Sequence, residues 1–231
     1  MTSGTLAQRL RLKEADFTAI EEAVRSAEAA TSGEIALAAT AESHDYSFYE
    51  LLASVLIGAL SFAVLLPLQN LVHTVLTRFF WEPALWQTTA VTGALSFGIT
   101  ALFFLAANMP VIDRLIIPQA VRSRMVYQRA LRHFVESGTY ATADRTGILV
   151  FVSLMEHEVR IIADTAVSSK IPQEQWDHIA ETVAAGVKNN SFKTALIEAI
   201  DICGSLLTEH FPADQTNPNE LADGLVLLEE S

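Results

Sequence analysis

Glu156-His157-Glu158 is a run of three side chains whose types could ligate a metal. Carboxylates and imidazoles hold divalent ions. Neighbouring residues of a turn point in different directions, however, so the run reads as ordinary turn polarity. Cys203 is the one cysteine in the chain. A single thiol builds neither an intramolecular disulfide framework nor a cysteine zinc site, and its place on an apolar stripe suits a small core residue. His73 follows a long apolar run, where snorkelling toward an interface explains it more simply than a proton relay. Arg122, Arg124, Arg129 and Arg132 lie on one expected helix just after a second apolar run. They suit anionic lipid headgroups, at about 1 kcal/mol per charge, or the basic flank that spans keep on their cytoplasmic side. No Gly-rich phosphate loop, nucleophile elbow or zinc-protease motif occurs.

The elements that position these residues fall into two kinds. Of 231 residues, 51% are apolar and 18% charged, against about 25% charged in ordinary soluble domains. The deficit is local: Leu51 to Thr77 and Pro83 to Ile112 contain no Asp, Glu, Lys or Arg. Without those stretches about 170 residues of ordinary polarity remain, enough for one core. A formal net charge of −12 lacks the basic footprint a nucleic-acid partner requires.

Residues 49–112 are expected to form a transmembrane helical hairpin, with spans at about 51–71 and 84–109, each near the roughly 20 residues a bilayer core demands. Gly58 with Ser61, and Gly93 with Ser96 and Gly98, permit close helix packing. Tyr46, Tyr49, Phe79, Phe80, Trp81 and Trp86 stand at the ends as an interfacial belt would. Arg78 is the basic residue of the connecting loop, whereas Arg114, Arg122, Arg124, Arg129 and Arg132 follow the second span. That bias, with no signal-peptide core near the N-terminus, predicts a multi-pass protein of the inner (plasma) membrane with both termini and the folded domain cytoplasmic.

The folded domain is expected in two pieces, 14–45 and 119–212, followed by an irregular acidic tail over 213–231. Phe17, Ile20, Val24 and Ala27 share one helical face, with Asp16 or Thr18 as the cap and Gly33 as the stop. Residues 34–41 alternate as a strand. After the hairpin come a helix over 119–136, a strand over 147–154 apolar enough to be buried on both faces, a second strand over 159–163, and two helices, one opened by Pro172 and the other capped by Ser191. The order implies an α/β sandwich interrupted by the hairpin, whose sheet needs strands from both sides of the insertion.

Several segments in order resemble the TPM domain family: Thr31-Ser32-Gly33-Glu34-Ile35, Arg145-Thr146-Gly147-Ile148-Leu149-Val150, Ile161-Ile162-Ala163-Asp164, Pro172 with Trp176, and Phe211-Pro212 with Asn219-Glu220-Leu221. The resemblance implies a compact α/β sandwich. It is similar to bacterial membrane-anchored members, and relatives in thylakoids are associated with photosystem II assembly and repair; a phosphatase activity has been proposed for some. It makes Glu34, Asp144 and Asp164 the candidate catalytic acids, and Asp144 and Asp164 the candidate ligands of a divalent metal that would polarise a phosphate. Where relatives often carry a glycine loop, this chain reads Thr165-Ala166-Val167-Ser168-Ser169, which removes backbone freedom from an ion-cradling loop.

Three functions follow as expectations. The first is a membrane-anchored interaction domain that supports assembly or quality control of other membrane proteins. The second is a metal-dependent phosphatase anchored to the membrane, and the third an anionic-lipid-binding module working through the four arginines. The expected partners are the bilayer and other membrane proteins.

Overall fold

The computed structural model describes residues 3–107, 110–213 and 219–229. In chain order its elements are α1 (Ser3–Arg9), α2 (Glu14–Glu28), β1 (Glu34–Thr40), α3 (Ser47–Leu65), α4 (Gln69–Leu76), α5 (Leu85–Ala107) and α6 (Pro110–Ile116). There follow α7 (Gln119–Glu136), β2 (Gly147–Ser153), β3 (Glu158–Ala163), α8 (Thr165–Ser168), α9 (Gln173–Lys188), α10 (Phe192–His210) and β4 (Leu225–Leu228). They form two compact units, Met1–His44 with Ala120–Ser231, and Asp45–Gln119.

The first unit is an α/β sandwich around a sheet of order β3-β2-β1-β4. β1 pairs in parallel with β2 and with β4, and β2 pairs antiparallel with β3. Alternation along the strands sorts side chains to two faces. Ile35, Leu37, Ala39, Ile148, Val150 and Val152 meet Ile20 and Val24 of α2, Ile179 and Val183 of α9, and Ile200 and Leu207 of α10. Ala36, Ala38, Leu149 and Phe151 meet Val126, Ala130 and Phe134 of α7. β1 can therefore sit at the centre only because its side chains are small or aliphatic on both faces. Gly204 allows α10 to touch α2: a Cβ there would lie 2.7 Å from the Ala27 Cβ.

Three expectations change here. The irregular tail is not irregular over Leu225–Leu228, which pairs with Leu37–Thr40 as strand β4; the apolar Leu-Val-Leu-Leu run closes an edge that β1 would otherwise expose. Residues 214–218 and 230–231 of that expectation lie outside the described residues. Helix α2 begins at Glu14, ahead of the expected caps, because the Lys13 N–H donates to the Asp16 carboxylate at 2.8 Å. A further helix, α1, was not expected; Leu6 and Leu10 are buried in the core, and α1 packs against β4.

In the second unit α3 and α5 pack against each other. Both are long and apolar enough to cross a membrane, and only 17% of each apolar window is buried. The buried positions are Glu50, Ser54 and Gly58 on α3, and Thr88, Thr92, Ser96 and Ala107 on α5. Their hydroxyls are satisfied within the helices: Ser54 donates to the Glu50 carbonyl, Thr92 to Thr88, and Ser96 to Thr92. Large apolar side chains such as Leu56, Leu60, Phe97 and Leu102 point outward. α3 stops at Leu65, short of the expected 71, because Pro67 lacks an N–H and its ring opposes a continued helix. Residues 108–109 of the expected second span lie outside the described residues.

Candidate functional site

Glu34 opens β1 opposite Gly147 and is 2% exposed. Its carboxylate accepts the backbone N–H groups of Glu220 and Leu221 at 3.4 and 3.3 Å. Burial raises its pKa; the two N–H donors oppose the shift, and the carboxylates of Glu220 and Asp223 add to it. Glu28, at the end of α2, is equally enclosed, and its Oε1 accepts the Ile35 N–H at 2.7 Å. Burial pushes Glu28 up to about 8, against the Ile35 hydrogen bond and with help from Glu34 and Asp223.

Asp223 completes this acidic seam. It is buried, and receives Arg25 Nε at 3.1 Å and Asn219 Nδ2 at 2.6 Å. Glu220 accepts the Ala143 N–H at 3.1 Å. The seam thus ties the segment before β4 onto the start of β1 and the end of α2. Its carboxylates act as acceptors for backbone and guanidinium donors.

Asp164 lies where β3 passes into α8. Its N–H donates to the Gly147 carbonyl at 2.9 Å, and its Oδ1 accepts the Thr165 N–H as the cap of α8. Its Oδ2 is buried without a hydrogen-bond partner. Glu34 and Asp164 therefore flank Gly147 from the two neighbouring strands, their backbones about two strand spacings apart, roughly 10 Å. Asp144 is exposed in the turn before β2. Among the described residues no group of three or more His, Cys, Asp or Glu could hold a metal ion. The residues present do not fit the divalent metal that the resemblance implies.

The four arginines of α7 divide. Arg124 and Arg132 are exposed, Arg122 is half-buried, and Arg129 Nη2 donates to the Glu229 carbonyl at 3.1 Å. Beside them Ser123 donates to Glu158 at 3.0 Å, and Arg160 pairs with Glu158 at 2.6 Å. In the β2–β3 turn the three adjacent polar residues diverge. Glu156 is buried and accepts from the Ser43 N–H and the Ser153 hydroxyl, His157 adopts a left-handed φ of 54°, and Glu158 enters β3. Cys203 is fully buried, and burial pushes its thiol up to about 12, which leaves it no thiolate character at neutral pH.

Sequence reasoning passed over Glu28 and Asp223, and read Glu156 as ordinary turn polarity where it is buried. Glu28 had a signal: it continues the apolar stripe Ile20, Val24 at helical spacing, so its burial follows from the same periodicity. Asp223 had none, since its partner Arg25 is distant in the chain.

Comparison with known proteins adds a family and a fold. The TPM domain model matches residues 114–205, a stretch that includes β2, β3 and α9 but not β1 or β4. No curated protein matches the chain. Among solved structures, the chain is similar to the NMR structure of BA42 protein from the psychrophilic bacterium Bizionia argentinensis, with a TM-score of 0.54 and 16% identity, covering 94% of this chain and 95% of that one. At that identity the likeness concerns the fold. Both findings agree with the α/β sandwich built above, and the likeness to the TPM domain family rests on residues 114–205.

Proposed function

We propose that this protein is a membrane-anchored interaction domain. Helices α3 and α5 cross the inner membrane as a hairpin, both termini and the TPM domain lie in the cytoplasm, and the domain supports assembly or quality control of other membrane proteins. The observation that carries the anchor is the inverted polarity of the hairpin. Apart from Glu50 in the first turn of α3, the buried side chains of α3 and α5 are small or hydroxylated, while the large apolar ones face outward. A soluble core helix buries its large apolar residues, whereas in lipid close packing falls to small residues. Trp81, between the two helices, and Trp86, in the first turn of α5, are strongly exposed and suit the headgroup level.

An interaction role is favoured over phosphatase chemistry because Glu34 has both carboxylate oxygens on backbone N–H groups. Asp164 serves as a helix cap, and Asp144 stands apart in a turn. The lipid-module reading is weakened by Arg129, whose guanidinium is engaged with the C-terminal strand.

Alkaline carbonate extraction of membranes tests the anchor, and protease accessibility in inverted against right-side-out vesicles tests the orientation. The expected result is a chain retained in the pellet and cut in the TPM domain only in inverted vesicles. Release into the supernatant would remove the anchor, and cutting in right-side-out vesicles would reverse the topology.

A further inference from the structure

The outer edge of β3 lies open in a groove. β3 is the last strand of the sheet, and all six of its residues are partly exposed. The groove is about 600 Å³, with Ile161, Ile162 and Ala163 along it, Tyr127 of α7 on one side, and Pro172 and Trp176 at the start of α9 on the other.

Backbone bonding fixes which groups of the strand face that groove. The Asp164 N–H donates to Gly147, and the antiparallel register pairs Ile148 with Ala163. Bonded and non-bonded pairs alternate in an antiparallel ladder. Ile162, Arg160 and Glu158 are therefore bonded to β2, and Val159, Ile161 and Ala163 turn their N–H and C=O groups outward. Three residues in alternation offering a donor and an acceptor match one kind of ligand, another extended backbone.

We propose that this groove docks an extended peptide segment of another protein by strand addition to β3, with an acidic side chain of that segment on Lys170. The inference rests on the interaction-domain reading and names its docking surface. Tyr127 of one helical layer and Trp176 of the other border the edge. Among the described residues, Lys170 is the one charged residue lining the groove. Its ammonium donates to the His210 carbonyl at 3.2 Å and lies over the Phe211 ring, 4.2 Å from the centroid, and the side chain stays exposed to an incoming carboxylate. Local charge governs here, since the overall −12 is screened beyond about 8 Å at physiological ionic strength. A second copy of this chain is disfavoured as the occupant: the Glu158–Arg160 pair at the start of β3 places charge on the edge, a pattern that discourages edge-to-edge pairing.

Fluorescence polarisation on the full chain in detergent tests the proposal, with the labelled peptide Ser-Val-Thr-Val-Glu-Val-Thr-Ser and its counterpart carrying Lys in place of Glu. The wild type should bind the Glu peptide at least tenfold more tightly. Lys170→Glu should reverse that preference. Ile161→Pro removes an outward N–H without removing a ladder bond, and should abolish binding of both peptides. Absence of binding to the wild type, or unchanged selectivity in Lys170→Glu, would overturn the proposal. So would a wild-type dimer by light scattering that Ile161→Pro makes monomeric, because the groove would then hold a second copy. Carbonate extraction reads the membrane anchor separately, so failure of docking is distinguishable from failure of the anchor.

Discussion

The Glu28 carboxylate takes the Ile35 backbone N–H at 2.7 Å, joining the end of α2 to the first turn-free residues of β1 from within the core. A buried acid in this place resists ionisation, and its raised pKa couples the fold to pH.

Between the ordinary carboxylate value of 4.5 and about 8, folded Glu28 holds a proton that the unfolded chain has released. The folded state then binds more protons, so stability falls as pH rises through that window and levels off above it, with a slope of up to about 1.4 kcal/mol per pH unit. Glu34 shifts in the same direction. Glu28→Gln should raise the melting temperature at pH 8 and change it little at pH 5, as read by thermal unfolding at the two pH values. Equal effects at both would sink the assignment.

Glu34→Ala should loosen the C-terminal segment. The Glu220 and Leu221 N–H groups lose their acceptor, at a cost of about 1–3 kcal/mol. Amide exchange over residues 219–228 should accelerate more than exchange in β2. Glu34→Gln retains a carbonyl acceptor and should be milder. Uniform acceleration across the sheet would contradict this role.

Gly58→Leu and Gly93→Leu should differ sharply. A Cβ at Gly58 would sit 2.0 Å from Thr100 Oγ1, while one at Gly93 meets nothing within 4 Å. Overpacking of this kind costs about 1–3 kcal/mol, so only the Gly58 variant should lower the melting temperature of the detergent-solubilised chain. Equivalent losses would mean that α3 and α5 do not meet through Gly58.

Titration with magnesium, calcium or zinc should leave the melting temperature unchanged. Asp164→Ala should cost about 1 kcal/mol through loss of the α8 cap, and Asp144→Asn almost nothing. A metal-dependent stabilisation abolished by Asp164→Asn would restore the hydrolase reading.

Much of the architecture was legible because local periodicity marks it. β1, β2 and the stripes on α2 and α10 follow from spacing alone, as does the presence of two long apolar helices. β4 was hidden because four apolar residues among acids carry no period long enough to recognise, and its partner strand lies far back in the chain. The candidate site was legible in residue types more than in roles. Glu34 and Asp164 do flank one strand, but their hydrogen bonds go to backbone groups that no spacing rule reveals. Asp144 remains outside because the turn before β2 turns it to solvent.

The position of β1 in the sheet has a consequence for synthesis on the ribosome. Its partner β2 begins 107 residues after β1 ends, at Gly147 against Thr40, and its other neighbour, β4, comes from the last residues of the chain. At roughly 5–20 residues per second, β1 waits about 5–20 s for its first partner while both apolar helices emerge. The sheet has no strand pair to form until those helices have been synthesised, and it lacks its β4 edge until Leu225–Leu228 follow. Folding of this sheet is thereby ordered after synthesis of the segment inserted between β1 and β2, and the central strand stays unpaired throughout that interval.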